Sequence, residues 1–186
     1  MTKTYLNFIN GRWTEPRSGR WLERENPANG QNIARFPDSG PEDVADAVKA
    51  AADAFHDWRF TPAPRRAEIL FRAAELFAAR KEELSRDVTI EMGKVLTEAR
   101  GDVQEAVDMS YYVAGEGRRQ WGQTSPSELP DKFCFTVRQP HGVVAAITPW
   151  NFPIAIPSWK IMPALVTGNT VVWKPSPYSP LSPANF

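Results

Sequence analysis

The sequence predicts an α/β protein that contains the start of a doubly wound parallel sheet. Two continuous apolar runs, Val143–Ile147 and Thr170–Trp173, flank a stretch of helical length at Phe152–Val166. Such runs are typical of parallel strands covered by helices on both faces, and a strand–helix–strand crossover is almost always right-handed. Apolar residues at helical spacing through much of residues 44–111 complete the prediction.

The region before the first helix predicts small β-hairpins. Short apolar stretches in residues 5–38 alternate with the dipeptides Asn10-Gly11, Ser18-Gly19 and Asn29-Gly30. Dipeptides of this kind close type I′ turns, because both central residues of such a turn need a positive φ. We therefore expect short antiparallel strands here.

Several helices are predicted between residues 39 and 115. Ser39–Glu42 has the spacing of a capping box, in which Ser39 accepts backbone N–H groups at the start of a helix of about 16 residues. Pro62 and Pro64 are placed to open the next helix, where a missing N–H costs little. Gly93 is placed to end a helix, and Glu98–Gly115 again shows the helical period. These helices predict a scaffold without catalytic groups.

One further strand is predicted at Phe133–Arg138. Apolar residues alternate there with smaller or polar ones, and the polar, turn-rich segment Gly122–Lys132 precedes them. This alternation predicts a strand that is exposed on one face.

Composition excludes several classes of function. Lys plus Arg and Asp plus Glu are equal at 22 each, so no basic surplus is present for binding nucleic acid. The apolar runs are far shorter than the roughly 20 residues of a membrane helix, and no secretory apolar region follows the first residues. One cysteine and two histidines are too few for a metal site. We expect a soluble cytoplasmic protein that binds no metal, nucleic acid or membrane.

Two loops of the strand–helix–strand unit are the predicted ligand site. Thr148–Pro153 follows the first strand and Lys174–Tyr178 follows the second. Open α/β sheets bind ligands outside the carboxyl ends of their strands, so both loops are expected to face one ligand. Neither loop contains the Gly-x-Gly-x-x-Gly fingerprint for a diphosphate. From the residues alone, the ligand is a nucleotide or another small polar molecule.

Several segments occur together in an order that resembles one enzyme family. They are Phe8–Trp13, Glu91–Lys94 with Glu98 and Asp102, Ile147–Pro153, Trp159–Leu165 and Gly168–Ser176. Their combination is similar to the amino-terminal portion of the NAD(P)-dependent aldehyde dehydrogenase superfamily. The likeness extends over residues 5–181.

The resemblance implies an architecture for the chain. Residues 1–123 and 141–186 would form the amino-terminal part of a Rossmann-like NAD(P)-binding domain, and residues 124–140 a strand segment for oligomerisation. The full-length enzyme is expected to be a homodimer or homotetramer. The family's catalytic cysteine and glutamate come well after the Trp150-Asn151 motif, so the catalytic domain would be absent and this chain inactive alone. Cys134 would then be a packing residue.

The resemblance assigns a catalytic role to Asn151. Its side-chain amide would donate a hydrogen bond to the oxyanion that forms when a cysteine thiolate attacks an aldehyde. The residue type leaves another interpretation open, because Asn is also a good cap for the helix that follows.

The resemblance also implies a binding site for NAD or NADP. Its residues are Ile147, Thr148, Pro149 and Trp150 along the cofactor cleft, and Lys174 and Ser176 at the adenosine ribose. Many NAD-preferring members of the family carry Glu at the position of Pro177, where a carboxylate repels a 2′-phosphate. Because Pro177 has no charge, use of either cofactor stays open.

A possible substrate tunnel is the last feature implied by the resemblance. Phe152, Ile156 and Trp159 recur at helical spacing and match positions that wall the family's tunnel. An aromatic stripe at this spacing is equally typical of a hydrophobic core.

The predicted function is therefore NAD(P)+-dependent oxidation of an aldehyde to a carboxylate through a cysteine thiohemiacetal and thioester. Tyr111–Arg119 and Ser125–Pro130 are most similar to family members that act on semialdehydes. Two alternatives belong to other classes. In the first alternative, the chain is a non-catalytic product that binds nucleotide or pairs with a subunit through Phe133–Arg138. In the second, suggested by its seven tryptophans, it is an aromatic-rich binding module.

Overall fold

The computed structural model describes residues 3–186, which form nine short strands and six helices. The strands are β1 (Lys3–Thr4), β2 (Asn7–Ile9), β3 (Arg12–Thr14), β4 (Trp21–Glu25), β5 (Asn32–Pro37), β6 (Thr124–Ser125), β7 (Cys134–Phe135), β8 (Val143–Ile147) and β9 (Thr170–Lys174). The helices are α1 (Pro41–Phe60), α2 (Ala63–Ala79), α3 (Lys81–Met92), α4 (Leu96–Glu116), α5 (Ala155–Val166) and α6 (Leu181–Asn185). Within residues 3–186, no helix has the length and apolar character that crossing a membrane requires.

The amino-terminal region contains the predicted hairpin and a small mixed sheet. β2 and β3 pair antiparallel across the Asn10-Gly11 turn, whose residues have φ angles of 52° and 71°. Two positive φ angles confirm the predicted turn chemistry. β5 lies between β1, its parallel neighbour, and β4, its antiparallel neighbour. Ala34 and Phe36 of β5 pack against Leu181, so this sheet is joined to α6.

Helix α1 begins differently from the sequence prediction. Ser39, the predicted cap, instead donates its hydroxyl to Asn7 Oδ1 at 3.0 Å. The Asp43 carboxylate accepts the Gly40 N–H at 2.8 Å and the Arg17 N–H at 3.0 Å. Asp43 is buried, so one carboxylate closes the first turn of the helix and holds the loop before it. The helix that follows is 20 residues long.

Helices α2, α3, α4 and α5 enclose the main hydrophobic core. Its fully buried side chains include Leu84, Val88, Val103 and Ile154. Burying a side chain of this size stabilises the fold by about 1.5–3 kcal/mol relative to leaving it exposed. Gly93 ends α3 with a φ of 79°, as predicted. The core thus fixes the α3–α4 linker and the start of α5 relative to each other.

The predicted strand–helix–strand unit is present. β8 and β9 run parallel, and their register pairs Val143 with Thr170 and Ile147 with Lys174. α5 connects them in sequence and contacts both strands. Because the strands are parallel and in register, their carboxyl ends lie at the same edge.

One face of β8 is open, contrary to the sequence prediction. Val144 and Ala146 are enclosed or partly enclosed, whereas Val143, Ala145 and Ile147 on the opposite face are exposed. The helices that contact the strand pair, α1 and α5, leave that second face uncovered within residues 3–186. The apolar run therefore does not have helices on both faces in the part of the chain that the structure describes.

Two elements are shorter than the sequence predicts. α5 begins at Ala155 rather than Phe152, after a turn at residues 150–154. β7 occupies only two residues of the strand predicted at 133–138 and pairs antiparallel with β6. Phe133, Cys134 and Phe135 are all exposed, so this segment is open to solvent on both faces rather than one.

Candidate functional site

The loops after β8 and β9 meet at one edge of the parallel strand pair. Thr148, the first residue after β8, donates its N–H to the Lys174 carbonyl at 3.3 Å. Its side-chain oxygen accepts the Trp173 Nε1–H at 3.0 Å, and the residue is buried. These bonds tie the two loops together, which confirms that they face one region.

An apolar surface lies directly beyond β8. Ile147 is 75% exposed and Trp150 is 51% exposed, and Pro149 between them is exposed as well. Large apolar side chains with this exposure are what a flat ligand ring covers when it binds. Three of the six residues predicted to contact a cofactor therefore present apolar surface.

The loop after β9 presents polar groups. Lys174 is exposed, and its ammonium donates one hydrogen bond, to the Pro175 carbonyl at 3.0 Å. An ammonium has three N–H groups, so two remain for a ligand. The Ser176 oxygen accepts the Tyr178 N–H at 3.1 Å, which shapes the loop, and its hydroxyl proton is left to donate.

A nicotinamide dinucleotide fits the chemistry of this edge. The apolar surface of Ile147 and Trp150 suits a flat ring, and the Lys174 ammonium suits ribose hydroxyls or a phosphate. Pro177 is exposed and carries no charge, so it repels neither a ribose nor a 2′-phosphate. The residues that would hold the cofactor are Ile147, Thr148, Pro149, Trp150, Lys174 and Ser176.

Asn151 lies in the turn between β8 and α5, with an exposed side chain. Within residues 3–186 its side-chain amide makes no hydrogen bond, whereas its backbone carbonyl accepts one from Lys94 Nζ at 2.7 Å. The alternative prediction, that Asn151 caps α5, is wrong. The first N–H of the helix, that of Ala155, donates instead to Asp102 Oδ1 at 2.7 Å. The Asn151 amide is therefore available to a ligand.

A buried ion pair supports the turn that carries Asn151. Lys94 Nζ lies 3.3 Å from Asp102 Oδ2, and the two side chains are 8% and 0% exposed. The same ammonium lies 3.9 Å from the centroid of the Phe152 ring. Burial raises the pKa of Asp102, and the hydrogen bond from Ala155 and the charge of Lys94 oppose that rise.

Sequence reasoning placed Lys94 and Asp102 in family-like segments but gave them no role. The two residues reach the turn from 57 and 53 residues away along the chain. No local spacing could indicate such a pairing. The Gly93 helix stop before Lys94 was the only local signal in this linker, and it indicated where α3 ends rather than what Lys94 contacts.

The three residues predicted to wall a substrate tunnel have different surroundings. Phe152 is exposed, whereas Ile156 and Trp159 on α5 are partly buried. Trp159 Nε1 is buried and has no hydrogen-bond partner within residues 3–186. Phe152 borders an open depression of about 250 Å³, which is lined by Lys94, Glu98, Gly101, Asp102, Glu105 and Phe152. The tunnel assignment stays a prediction for all three.

The single cysteine and the two histidines lie away from this edge. Cys134 was predicted to be a packing residue, and that prediction is wrong because the residue is exposed in β7, whose two-stranded sheet is separate from β8 and β9. The backbone N–H of His141 donates to Asn169 Oδ1 at 2.7 Å, which holds the turn into β8. His56 is on the exposed side of α1, 3.1 Å from the Asp57 carboxylate.

These features define a class of protein: an α/β fold in which two loops meet at the carboxyl ends of parallel strands, beside an Asn151 amide that makes no hydrogen bond within residues 3–186. Residues 13–186 match the aldehyde dehydrogenase family, and the chain belongs to that family.

Three known proteins illustrate the likeness. The chain is 47% identical to alpha-ketoglutaric semialdehyde dehydrogenase of Bacillus subtilis (strain 168) over 174 aligned residues. These residues make up 93% of the chain and 36% of that enzyme. An NADP-dependent enzyme of E. coli, with a solved structure, is 38% identical at a TM-score of 0.93, covering 98% of the chain and 38% of that structure. The NAD-dependent aldehyde dehydrogenase of Sinorhizobium meliloti is 34% identical at a TM-score of 0.95, covering 100% and 38%.

The structural matches confirm the predicted α/β, Rossmann-like fold class. The chain spans little more than a third of the length of these three relatives, at 36% and 38%.

Proposed function

We propose that this protein takes part in the NAD(P)+-dependent oxidation of an aldehyde to a carboxylate. The observation that carries the proposal is the state of Asn151, whose exposed amide makes no hydrogen bond within residues 3–186 and lies in the loop that follows β8. An amide whose N–H groups are free in this way is suited to donate a hydrogen bond to a substrate oxygen as negative charge develops on it. Membership of the aldehyde dehydrogenase family supports the same reaction.

In the proposed reaction a cysteine thiolate adds to the aldehyde carbon, and the Asn151 amide donates a hydrogen bond to the oxygen that gains charge. A preorganised donor of this kind contributes about 3–4 kcal/mol to the transition state. A nicotinamide cofactor, when bound, supplies the acceptor for a hydride. Lys174 and Ser176 bind its ribose, and the apolar surface of Ile147 and Trp150 keeps water from its rings.

The thiolate and the base that activates water come from outside residues 1–186 in this proposal. Cys134 is the one cysteine in the sequence, and it is exposed in the separate β6–β7 sheet. A nucleophile must lie within reach of both its base and the oxyanion donor. The 186-residue chain is therefore expected to be inactive alone.

The proposed substrate is a semialdehyde, an aldehyde that also carries a carboxylate. The 47% identical relative from Bacillus subtilis is named for such a substrate. The Tyr111–Arg119 and Ser125–Pro130 segments of the chain support the same substrate class by their resemblance to semialdehyde-oxidising members of the family.

We also propose that residues 124–140 pair subunits into a homo-oligomer. Phe133 and Phe135 are both exposed, and their ring centroids lie 5.5 Å apart. Exposed aromatic pairs on a short strand favour burial against a partner. The same observation favours the second candidate function, in which the chain alone is a non-catalytic subunit-pairing product.

A turnover assay tests the proposal. The chain alone, and the chain joined in frame to the remainder of the Bacillus subtilis relative, are given succinic or 2-oxoglutaric semialdehyde with NAD+ or NADP+, and NAD(P)H formation is followed. Turnover is expected only in the joined protein, with propanal, which lacks a carboxylate, oxidised less efficiently. Turnover by the chain alone would contradict the assignment of the nucleophile. Inactivity of both proteins would favour the subunit-pairing function.

A further inference from the structure

The direction of the Asn151 amide is set by the backbone of its turn. The side chain makes no hydrogen bond within residues 3–186, so no neighbouring group orients it directly. Two buried side chains hold the turn at its two ends. Lys94 donates to the Asn151 carbonyl at 2.7 Å, and Asp102 accepts the Ala155 N–H at 2.7 Å.

The Lys94 ammonium interacts with three groups in or next to this turn. It bonds the Asn151 carbonyl, lies 3.3 Å from Asp102 Oδ2 and rests over the Phe152 ring at 3.9 Å. Two of these three groups belong to consecutive residues of the turn. The Lys94 side chain, which is 8% exposed, therefore directs its charge and N–H groups at the segment that carries the proposed oxyanion donor.

Stability alone is a weak reason for such a buried pair. Removing two charges from water costs several kcal/mol per ion, and apolar residues of the same volume are often equally stabilising. A buried ion pair has a clearer use where it selects one conformation. Here the selected conformation is that of the turn at residues 150–154 and the first residue of α5. Lys94 donates a hydrogen bond to the Asn151 carbonyl, and Asp102 accepts one from the Ala155 N–H.

We propose that Lys94, backed by Asp102, is a positioning residue that sets the direction of the Asn151 amide toward the substrate oxygen. The inference rests on the proposed function, since that function gives the amide its task. Lys94 acts through the Asn151 carbonyl and the Phe152 ring, and Asp102 acts through the Lys94 ammonium and the Ala155 N–H. Gly93, in its left-handed conformation, directs the linker so that Lys94 points into the turn.

The first test measures the order of the turn and needs no activity. Amide ¹⁵N relaxation is compared between the 186-residue chain and its Lys94→Met, Lys94→Arg and Lys49→Met variants. Lys49 is an exposed residue of α1 that pairs with Asp53, so it controls for the loss of a lysine. Lys94→Met is expected to mobilise the amides of residues 150–152 while those of α4 and α5 keep their order, and Lys49→Met is expected to change nothing there. An equally ordered turn in Lys94→Met would overturn the inference.

The second test is a double-mutant cycle in the protein joined to the remainder of the Bacillus subtilis relative. Lys94→Met is expected to lower kcat by about tenfold or more, short of the roughly 10²–10³-fold cost of removing an oxyanion donor, and to change KM for the cofactor less than about twofold. Because Lys94 acts through Asn151, the double variant Lys94→Met/Asn151→Ala is expected to be no slower than Asn151→Ala. Additive losses would overturn the inference.

The two tests separate failure of the inference from failure of the proposed function. If the joined wild-type protein oxidises no aldehyde, the proposed function fails, and the relaxation measurement still decides whether Lys94 orders the turn. If Lys94→Met does not fold, Lys94→Arg keeps the charge with a larger head group. The Lys94→Arg variant is then expected to lose less kcat than was expected for Lys94→Met. This loss is again expected to be non-additive with that of Asn151→Ala.

Discussion

Buried carboxylates hold the starts of three helices in the described residues, and Asp43 at α1 is the first of them. Asp102 accepts the Ala155 N–H at the start of α5. Glu91 does the same for α6, where it accepts the Leu181 N–H, the Ser182 N–H at 3.0 Å and the Ser182 hydroxyl at 2.7 Å. Burial raises the pKa of Glu91 to about 7, even though the donors from Ser182 and Leu181 act to lower it. A single buried side chain thus links the stability of α6 to pH.

The Glu91 carboxyl is expected to make folding stability fall as pH rises from about 5 to 8. Its pKa is about 7 in the folded chain and near its ordinary value of 4.5 when unfolded. Between these values the folded state binds more protons than the unfolded state, so the stabilisation present below pH 4.5 is lost as pH approaches and passes 7. The total amounts to about 3 kcal/mol. Urea unfolding midpoints measured across this pH range test the slope.

The matched variant for this prediction is Glu91→Gln, which has nearly the same shape and does not titrate. Its unfolding midpoint is expected to vary less with pH above 5 than that of the parent chain. Asp102 and Asp87, whose pKa values burial also raises, remain in both proteins and supply the same background. Parallel curves for the two proteins would show that Glu91 is not the titrating group.

At the scale of elements, α2 lies close to the end of α4 at Gly117, the residue that directly follows the last turn of α4. A Cβ added there would lie 2.5 Å from Ala67 Cβ and 2.9 Å from the Ala63 carbonyl oxygen. Both of those atoms belong to α2, one of them to its backbone, so little can move aside. Gly101, in the middle of α4, has nothing within 4 Å of the same added atom. A close contact therefore excludes a side chain at Gly117, whereas the space around Gly101 would admit one.

Substitution of these glycines by alanine is expected to give opposite effects. Gly117→Ala is expected to lower the free energy of unfolding by about 1–3 kcal/mol, the usual cost of overpacking a close contact. Gly101→Ala is expected to raise it by about 0.5–1 kcal/mol, because alanine loses less conformational entropy in a helix. Chemical denaturation of the two variants and the parent measures both. Equal effects in the same direction would mean that the α2–α4 distance is not as the structure has it.

Sequence patterns predicted the elements whose signals are local. The Asn10-Gly11 turn, the Gly93 helix stop and the β8–α5–β9 unit were all indicated by residues within the element itself. Local signals were wrong at two helix starts, in one case because a neighbouring residue closes the turn and in the other because a side chain distant in sequence does. Ser39 has a cap sequence, yet Asp43 closes the turn, and Asp102 rather than Asn151 caps α5.

The candidate site was predictable to the same extent. Parallel strands bring the loops after β8 and β9 together by geometry alone, so the positions of Thr148 and Lys174 followed from the sequence pattern. The pairing of Lys94 with Asp102 did not, because a buried contact between a linker and a helix has no spacing rule. Nor did the coverage of β8, since an apolar run does not reveal which helices lie over it.

At the scale of the whole molecule, two of the exposed apolar regions lie on strands. One is the open face of β8, and the other is the hairpin of β6 and β7. The β6–β7 sheet pairs with no other strand of residues 3–186, and Phe133 and Phe135 are 73% and 60% exposed on it. A short exposed strand with unpaired edges is a template for pairing with a second chain.

The double substitution Phe133→Ser/Phe135→Ser is expected to weaken self-association without unfolding the chain. These rings pack against each other rather than in the core, so their loss removes contact surface for a partner while leaving the core cluster of α2–α5 intact. Leu76→Ser on α2, which is 63% exposed, is the matched control for loss of an exposed apolar side chain. Sedimentation velocity over a range of protein concentrations is expected to show a weaker association for the double variant and none of this weakening for the control. If both variants associate as the parent does, the hairpin is not the pairing surface and the open face of β8 becomes the better candidate.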